Sequence, residues 1–406
     1  MSEPDGWDAL FSRRTLGVRM GLGIVQGVFE AMGRPGEAIA AVHVVGTNGK
    51  GSTAAMVEHA LRGRGWRTGL YTSPHLRRVG ERVRVDGEAV ADERLRAHVR
   101  AVLGAEAGLS LARPLSFFEL LTLAALDLLA AAGVEVLVVE AGLGGRLDAT
   151  RLVSPTVVAI TSIALDHQAI LGDTLAAIAA EKAAVMRAGV PTVSARQGPE
   201  AAAVIEARAA EVGSPLVWAS PLPRAPVGLA GAHQRSNAAV ALLAARVLEP
   251  AIGPEALDGV RWPGRLEVVP WGGGTLVLDV AHNPAGIAAV VDAVEAGAVP
   301  QPSLVLFGCQ ADKDGPAMVQ ALERLALERW WVGPEPGLPP VGGAAAWSAT
   351  FGSERIAAAL EAMRSELARG AVVLVCGSHK LVGAVLAAVH GDLGEPDPQD
   401  PRPVRT

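Results

Sequence analysis

The chain has 406 residues, half of them apolar, a net charge of −6 and two cysteines. That length suggests two or three domains with sizeable cores, and the absence of a basic excess or basic block excludes an ordinary nucleic-acid binder. Cys309 and Cys376 exclude a disulfide scaffold and fit a reducing compartment.

The first residues, Met1 to Arg14, are polar and mixed in charge and do not read as a secretion signal. The most membrane-like run, Leu120 to Val139, contains Asp127, Gly133 and Glu135 and reads as a buried helix followed by a buried strand. A cytoplasmic protein is expected, with no membrane and no nucleic-acid partner. The basic residues are strongly biased. Of 36 Lys and Arg, only Lys50, Lys182, Lys313 and Lys380 are lysines. An ammonium that persists against such a bias is a slightly better functional candidate, because a guanidinium does not replace it.

In chain order, Ala41–Val45 reads as a strand, Ser52–Arg64 as a helix and Thr68–Tyr71 as a strand. Helix Phe117–Ala132 and strand Val134–Val139 follow, then strand Thr156–Thr161, helix Leu175–Ala188, strand Pro191–Ser194 and helix Gln234–Val247. Such alternation predicts a mostly parallel sheet with helices on both faces. The pattern breaks into Pro, Gly and Trp at Trp262–Gly274. A second α/β series comprises strand Thr275–Asp279, helix Pro284–Ala296, strand Leu304–Phe307, helix Gly315–Leu327, helix Ser353–Ala368 and strand Ala371–Val375. The expected division is a domain over 1–263, a linker over 264–274, a smaller α/β domain over 275–390 and a disordered Pro- and Asp-rich tail over 391–406.

The strongest local signal is the run from His43 to Thr53, a strand entering a glycine-rich turn that opens a helix. Such a turn aims backbone N–H groups at one spot, and the helix N-terminus adds partial positive charge. Lys50 can reach the outer phosphates of a nucleotide, and Ser52 or Thr53 a Mg²⁺. Val44 stands where the usual phosphate loop has its first Gly, and Gly51 separates Lys50 from the hydroxyl. Glu140 ends a hydrophobic strand, so its carboxylate emerges at the sheet edge where α/β proteins bind ligands. It suits Mg²⁺, or it is a solvated strand-end residue. His167 follows another strand, where chemistry alone favours capping or packing.

Gly46-Thr47-Asn48-Gly49-Lys50-Gly51-Ser52 resembles the nucleotide loop of the Mur-ligase superfamily, most closely its folylpolyglutamate synthase/dihydrofolate synthase branch. Further segments are similar in family order. They are Leu16–Pro35, Tyr71–Leu76, Ser116–Glu119, Glu140–Thr150, Leu165–His167, Glu181–Ala183, His233–Asn237, Pro263–Arg265, Asp279–Pro284, Asp312–Asp314 and Gly377–Ser378.

The resemblance implies an N-terminal mostly parallel P-loop-type sheet domain with a smaller C-terminal α/β domain, acting as an ATP-dependent carboxylate–amine ligase. It implies L-glutamate as the amine, folate or dihydropteroate as the acceptor and an acyl-phosphate intermediate, and a monomer is expected. ATP contacts fall to Thr47, Asn48, Gly49, Lys50, Gly51, Ser52, Asn237, Arg265 and Asp279. Two Mg²⁺ sites fall to Ser52, Ser73, Glu140, His167 and Lys182, the last as a carbamate. The catalytic set is Lys50, Lys182, His167 and Arg265, and the substrate set Phe117, Phe118, Glu119 and His282.

Plainer readings stand beside these. Lys182 could be a surface helix residue, Arg265 a linker Arg, Asp279 a strand-end cap, the Phe pair core, and Asn283–Pro284 a helix start. Arg151, His379 and Lys380 depart from the family pattern. Arg151 is expected to alter the loop beside the metals, and the other two to face the glutamate side. Another Mur-type amide ligase, a P-loop kinase or a nucleotide switch are the alternatives.

Overall fold

The computed structural model describes residues 6–17, 21–333, 347–351 and 356–391. The first sheet contains β1 (Ala40–Val45), β2 (Thr68–Tyr71), β3 (Val83–Val85), β4 (Glu88–Ala89), β5 (Val136–Glu140), β6 (Pro155–Ile160), β7 (Thr192–Ala195) and β8 (Leu216–Ala219). They lie in the order β4-β3-β2-β5-β1-β6-β7-β8, parallel except for the β2–β3–β4 edge. Every residue of β5, Val-Leu-Val-Val-Glu, is buried, as a central parallel strand covered on both faces requires. Helices Gly23–Ala31, Asp92–Ala107 and Phe117–Ala131 pack on one face through Phe29, Leu95 and Leu120. Helices Lys50–Arg62 and Gln234–Leu248 cover the other through Met56, Val240 and Leu242.

The second sheet contains β9 (Glu267–Trp271), β10 (Gly274–Leu278), β11 (Leu304–Phe307), β12 (Glu328–Val332), β13 (Ala349–Phe351) and β14 (Val372–Cys376). Its order is β13-β12-β11-β14-β10-β9, with only β9 antiparallel to its neighbour among the described strands. Cys309 and Cys376 are buried in its core. The expected two-part α/β fold is therefore present. The expected linker is corrected in part: 264–274 contains β9, which pairs residue by residue with β10. Its Pro, Gly and Trp residues hide a hairpin, because Gly272 and Gly273 adopt positive φ at the turn. The expected helix Ser353–Ala368 is described from Ile356, and the tail from 392 onward lies outside the described residues. No helix among the described residues is long and apolar enough to cross a membrane.

Candidate active site

The carboxyl ends of β1, β5 and β6 open onto a cavity of about 790 Å³ that also takes in the loops after β10 and β14. β1 is flanked by β5 and β6, while the chain leaves β1 for β2, so the cavity lies where the strand order reverses. All four lysines of the chain line it.

The loop after β1 is held from below. The Thr47 and Asn48 N–H groups both donate to Ser162 O, at 2.8 and 3.2 Å. Thr47 Oγ1 donates to Ala164 O, and the Asn48 amide exchanges hydrogen bonds with Asn283 at 2.8 and 3.2 Å. Thr47 and Asn48 line the cavity, with most of their hydrogen-bonding groups already engaged by the fold. The open donors begin one turn later. The Thr53 N–H makes the first helical bond, to Gly49 O, which leaves Lys50, Gly51 and Ser52 N–H without intrahelical acceptors. Gly49 has φ +87°, and a Cβ there would lie 2.2 Å from Asn237 Oδ1, so glycine is required twice over. Lys50 Nζ donates to Thr47 O at 3.0 Å and stays over the loop.

Glu140 sits beside this cradle. It is buried, and burial pushes its carboxyl above the usual range against the pull of Lys50. It accepts the Ser73 N–H at 3.2 Å. Ser52 is buried next to Gln234, whose amide lies 3.4 Å from its hydroxyl. Lys182 is also buried, and its Nζ donates to Gly46 O at 2.8 Å. Burial first, then the Lys50 charge, draws its ammonium down to about 7. Among the described residues no three His, Cys, Asp or Glu converge into a metal cage. The donor set fits Mg²⁺ all the same. Mg²⁺ binds one or two carboxylates and completes its shell with waters and phosphate oxygens, and Glu140, which has no ion pair among the described residues, would regain its charged form beside a bound cation.

His167 takes a left-handed backbone conformation, φ 51°, at the start of a short helix. Its ring is shifted down to about 4 by burial. Its Nε2 faces Lys313 Nζ at 3.4 Å. Lys313 also donates to Asp166 Oδ1 at 2.7 Å, tying the two sheets together. Burial opposes the charge on Asp166, but His282, His167 and Lys313 outweigh it and hold the carboxyl well below its ordinary range.

The second sheet supplies the opposite wall. Arg265 is half-buried, and a Cβ added to Gly51 would lie 3.5 Å from both Arg265 Nη2 and Glu140 Oε2. Asp279 spends its two oxygens on Leu266 and Ala281 N–H, at 2.9 and 2.8 Å. His282 donates through Nδ1 to Val280 O at 2.9 Å, which turns Nε2 toward Asp166 Oδ2, 3.5 Å away. Asn283 caps the next helix, as its motif suggests. His379 packs on His282 with ring centroids 4.9 Å apart.

Phe117 and Phe118 are half-buried and line the cavity, Phe118 against Gly142 just beyond Glu140. Phe117 stacks on Phe11 and Phe118 leans on Tyr71. Glu119 lines the cavity beside them. It closes a capping box with Ser116 and a bidentate pair with Arg113 at 2.7 and 2.8 Å. Its carboxylate fixes the helix that presents the two rings. Arg151 donates to Arg146 O at 2.8 Å and steadies the glycine-rich turn. Lys313, Gln234 and Asn283 join the site although the sequence reading left them out of it. The signal for Lys313 was present in the scarcity of lysine.

A phosphate cradle, a buried carboxylate and an Arg just before the second sheet define an ATP-dependent carboxylate–amine ligase of the Mur type. Residues 264–379 match the family model described as Mur ligase, glutamate ligase domain. The chain is 34% identical over 350 residues to the folylpolyglutamate synthase of Lacticaseibacillus casei, covering 77% of this chain and 80% of that protein. It is 39% identical to a probable bifunctional folylpolyglutamate synthase/dihydropteroate synthase of Haloferax volcanii, covering 78% of this chain but only 41% of that longer protein. The fold superposes with a TM-score of 0.82 on a Yersinia pestis bifunctional folylpolyglutamate synthase/dihydrofolate synthase complexed with AMPPNP and a Mn ion, at 30% identity, covering 96% of this chain and 100% of that one. The chain belongs to the folylpolyglutamate synthase/dihydrofolate synthase family.

Proposed function

We propose that this chain joins L-glutamate to the carboxylate of a pteroyl acceptor, either dihydropteroate, a tetrahydrofolate or both. The observation that carries the reading is the convergence of Glu140, at the end of β5, and Arg265, just before β9, on Gly51 in the phosphate cradle. A carboxylate oxygen of the acceptor attacks the γ-phosphorus of ATP, and ADP leaves. The glutamate amine then attacks the acyl carbon. The new C–N bond replaces the C–O bond to phosphate, and the amine gives up a proton. The N–H groups from Lys50 to Ser52, the Lys50 ammonium and the Arg265 guanidinium hold the transferring phosphoryl and neutralise its charge.

Asn237 lies on the adenine side, with Asp279 bracing the second sheet's approach to the nucleoside. Phe117 and Phe118 offer aromatic faces to the acceptor, and His282 faces the incoming amino acid. Ser52, Ser73 and Glu140 would hold one Mg²⁺ and His167 a second, supplying neutralisation of phosphate charge. The enzyme acts as a cytoplasmic monomer in this reading.

Lys182 is proposed to carry a carbamate. Its neutral amine adds to CO₂, forming an N–C bond and releasing a proton, and an amine drawn down to about 7 has the neutral form available. Lys182→Arg should then be inactive, and Lys182→Ala inactive but partly restored by short carboxylic acids. A fully active Lys182→Arg enzyme removes the carbamate. The function itself is tested by ADP release, run in parallel on dihydropteroate and tetrahydrofolate. Release that needs L-glutamate with at least one acceptor is expected. Release indifferent to glutamate, or none with either acceptor, overturns the assignment.

A further inference from the structure

Three arginines line the cavity near the aromatic pair. Arg13 is committed to the fold: it forms a bidentate pair with Glu106, at 2.8 and 2.9 Å, and donates to Leu115 O. Arg14 lies over the Phe11 ring at 4.2 Å and 5.3 Å from the centre of the Phe117 ring. Arg82, almost wholly buried, stands 5.2 Å from that same Phe117 ring. Its Nε donates to His75 Nδ1 at 2.8 Å. His75 is kept neutral by burial and by the neighbouring guanidinium, so it accepts that bond and fixes the direction of Arg82. The charge of Arg82 also bears on Glu140. Arg82 therefore lines the same cavity as Phe117 and Glu140.

This placement matters for one chemical difference between the acceptors. Dihydropteroate ends in a single benzoate carboxylate, which is the one that reacts. A folate already bearing glutamate ends in two. Its γ-carboxylate reacts, and its α-carboxylate has to be accommodated a few bonds away. A carboxylate taken out of water beside phenyl rings is costly unless it is paired. A guanidinium is suited to that pairing, because its planar fork can meet both oxygens while its face rests on an aromatic ring.

We infer that Arg82 and Arg14, bracketing Phe117, form a subsite for the α-carboxylate of a glutamylated acceptor, and so set the preference of this enzyme for folates over unglutamylated acids. The inference rests on the ligase reading above and names what that reading leaves open.

The decisive pair of acceptors is tetrahydropteroylglutamate and tetrahydropteroyl-γ-aminobutyrate. Both present the same rings and a carboxylate at the same reach, and only the first has the α-carboxylate. The readout is the ratio of their kcat/KM values within each protein, so a general loss of activity cancels. The wild-type ratio should be about tenfold or more, the size of one charge-assisted hydrogen bond. It should fall toward one in Arg82→Met and in Arg14→Met, and recover partly in Arg82→Lys, which keeps the charge but loses the fork.

A wild-type ratio near one overturns the subsite, and needs no variant to fold. A ratio unchanged in both methionine variants overturns it as well. So does a wild-type enzyme that turns over dihydropteroate but neither tetrahydropteroyl acceptor, although the ligase reading then survives. If no acceptor, dihydropteroate included, supports glutamate-dependent ADP release, the ligase reading falls first.

Discussion

At the phosphate end of the cavity, the backbone does the work. Gly46, Gly49 and the first turn of helix Lys50–Arg62 set the shape of the cradle, and Ser162, Ala164 and Asn283 hold it from outside. At the acceptor end, side chains from distant segments do it instead: Phe11 and Arg14 near the N-terminus, Arg82 before β3, and Phe117 at a helix start. The first arrangement tolerates almost no substitution, because a Cβ at Gly49 meets Asn237. The second can vary one side chain at a time. An enzyme built this way can keep its phosphoryl chemistry fixed while its choice of acceptor drifts.

The largest expected effect tests whether the two ends are separable. Lys50→Ala removes a charge aimed at the phosphates and no core packing. It should lower kcat/KM by about 10³-fold, as loss of a preorganised electrostatic group does, with the melting temperature essentially unchanged. The loss should be the same for every acceptor, whereas the Arg82 variants change the ratio between acceptors. A Lys50→Ala enzyme whose loss depends on the acceptor would break the comparison.

Glu140→Gln sharpens the same end. A neutral amide is a poorer ligand for a hard cation, so the Mg²⁺ concentration for half-maximal rate should rise by about tenfold. The fold should not suffer, because burial already disfavours the charged form of Glu140. An unchanged Mg²⁺ titration would move Glu140 out of the metal shell.

The difference between the ends also explains what the sequence discloses. The cradle is legible because positive φ and close approach demand glycine at fixed spacing, and because a lysine stands out among arginines. β5 and β10 are legible as apolar runs, the first ending in Glu140 and the second followed by Asp279. The hairpin of β9 and β10 is not, since its alternating burial includes Pro270 and Trp271 and its turn is all glycine. Thr47 and Asn48 have the right residue types at the right places, but their hydrogen-bonding groups are used by Ser162, Ala164 and Asn283, which only the fold brings near, whereas Ser116 and Arg113, the partners of Glu119, are local in the chain. Arg14 and Arg82 carry no local signal at all. In a chain whose basic residues are nearly all arginine, composition cannot separate an arginine seated on Phe117 from one on the surface.

The smallest expected effect concerns the floor between the two ends. Asp148 accepts the Leu143 and Thr150 N–H groups, at 2.8 and 2.9 Å, and so anchors the glycine-rich turn that follows Glu140. The Thr150 hydroxyl gives its one proton to Asp148. It must then accept from His43 Nε2, 2.9 Å away on β1, which makes His43 the neutral Nε2–H form. Burial, then Arg187 and Arg151, lowers that ring to about 3. The unfolded chain takes up a proton on this ring below its ordinary value of about 6.5, and the folded chain does not. Stability on this account is complete above that value and declines as pH falls toward 3. His43→Gln keeps a donor for Thr150 but cannot be protonated. Between pH 7 and pH 5.5 the variant should lose about 1 kcal/mol less stability than wild type, measured as unfolding free energy in urea. Its ATP dependence at pH 7 should match wild type, because the network reaches the acceptor-side turn and not the phosphate loop. Equal acid losses in the two proteins would show that the ring is protonated in the native state, and the proton order along His43, Thr150 and Asp148 would have to be reversed.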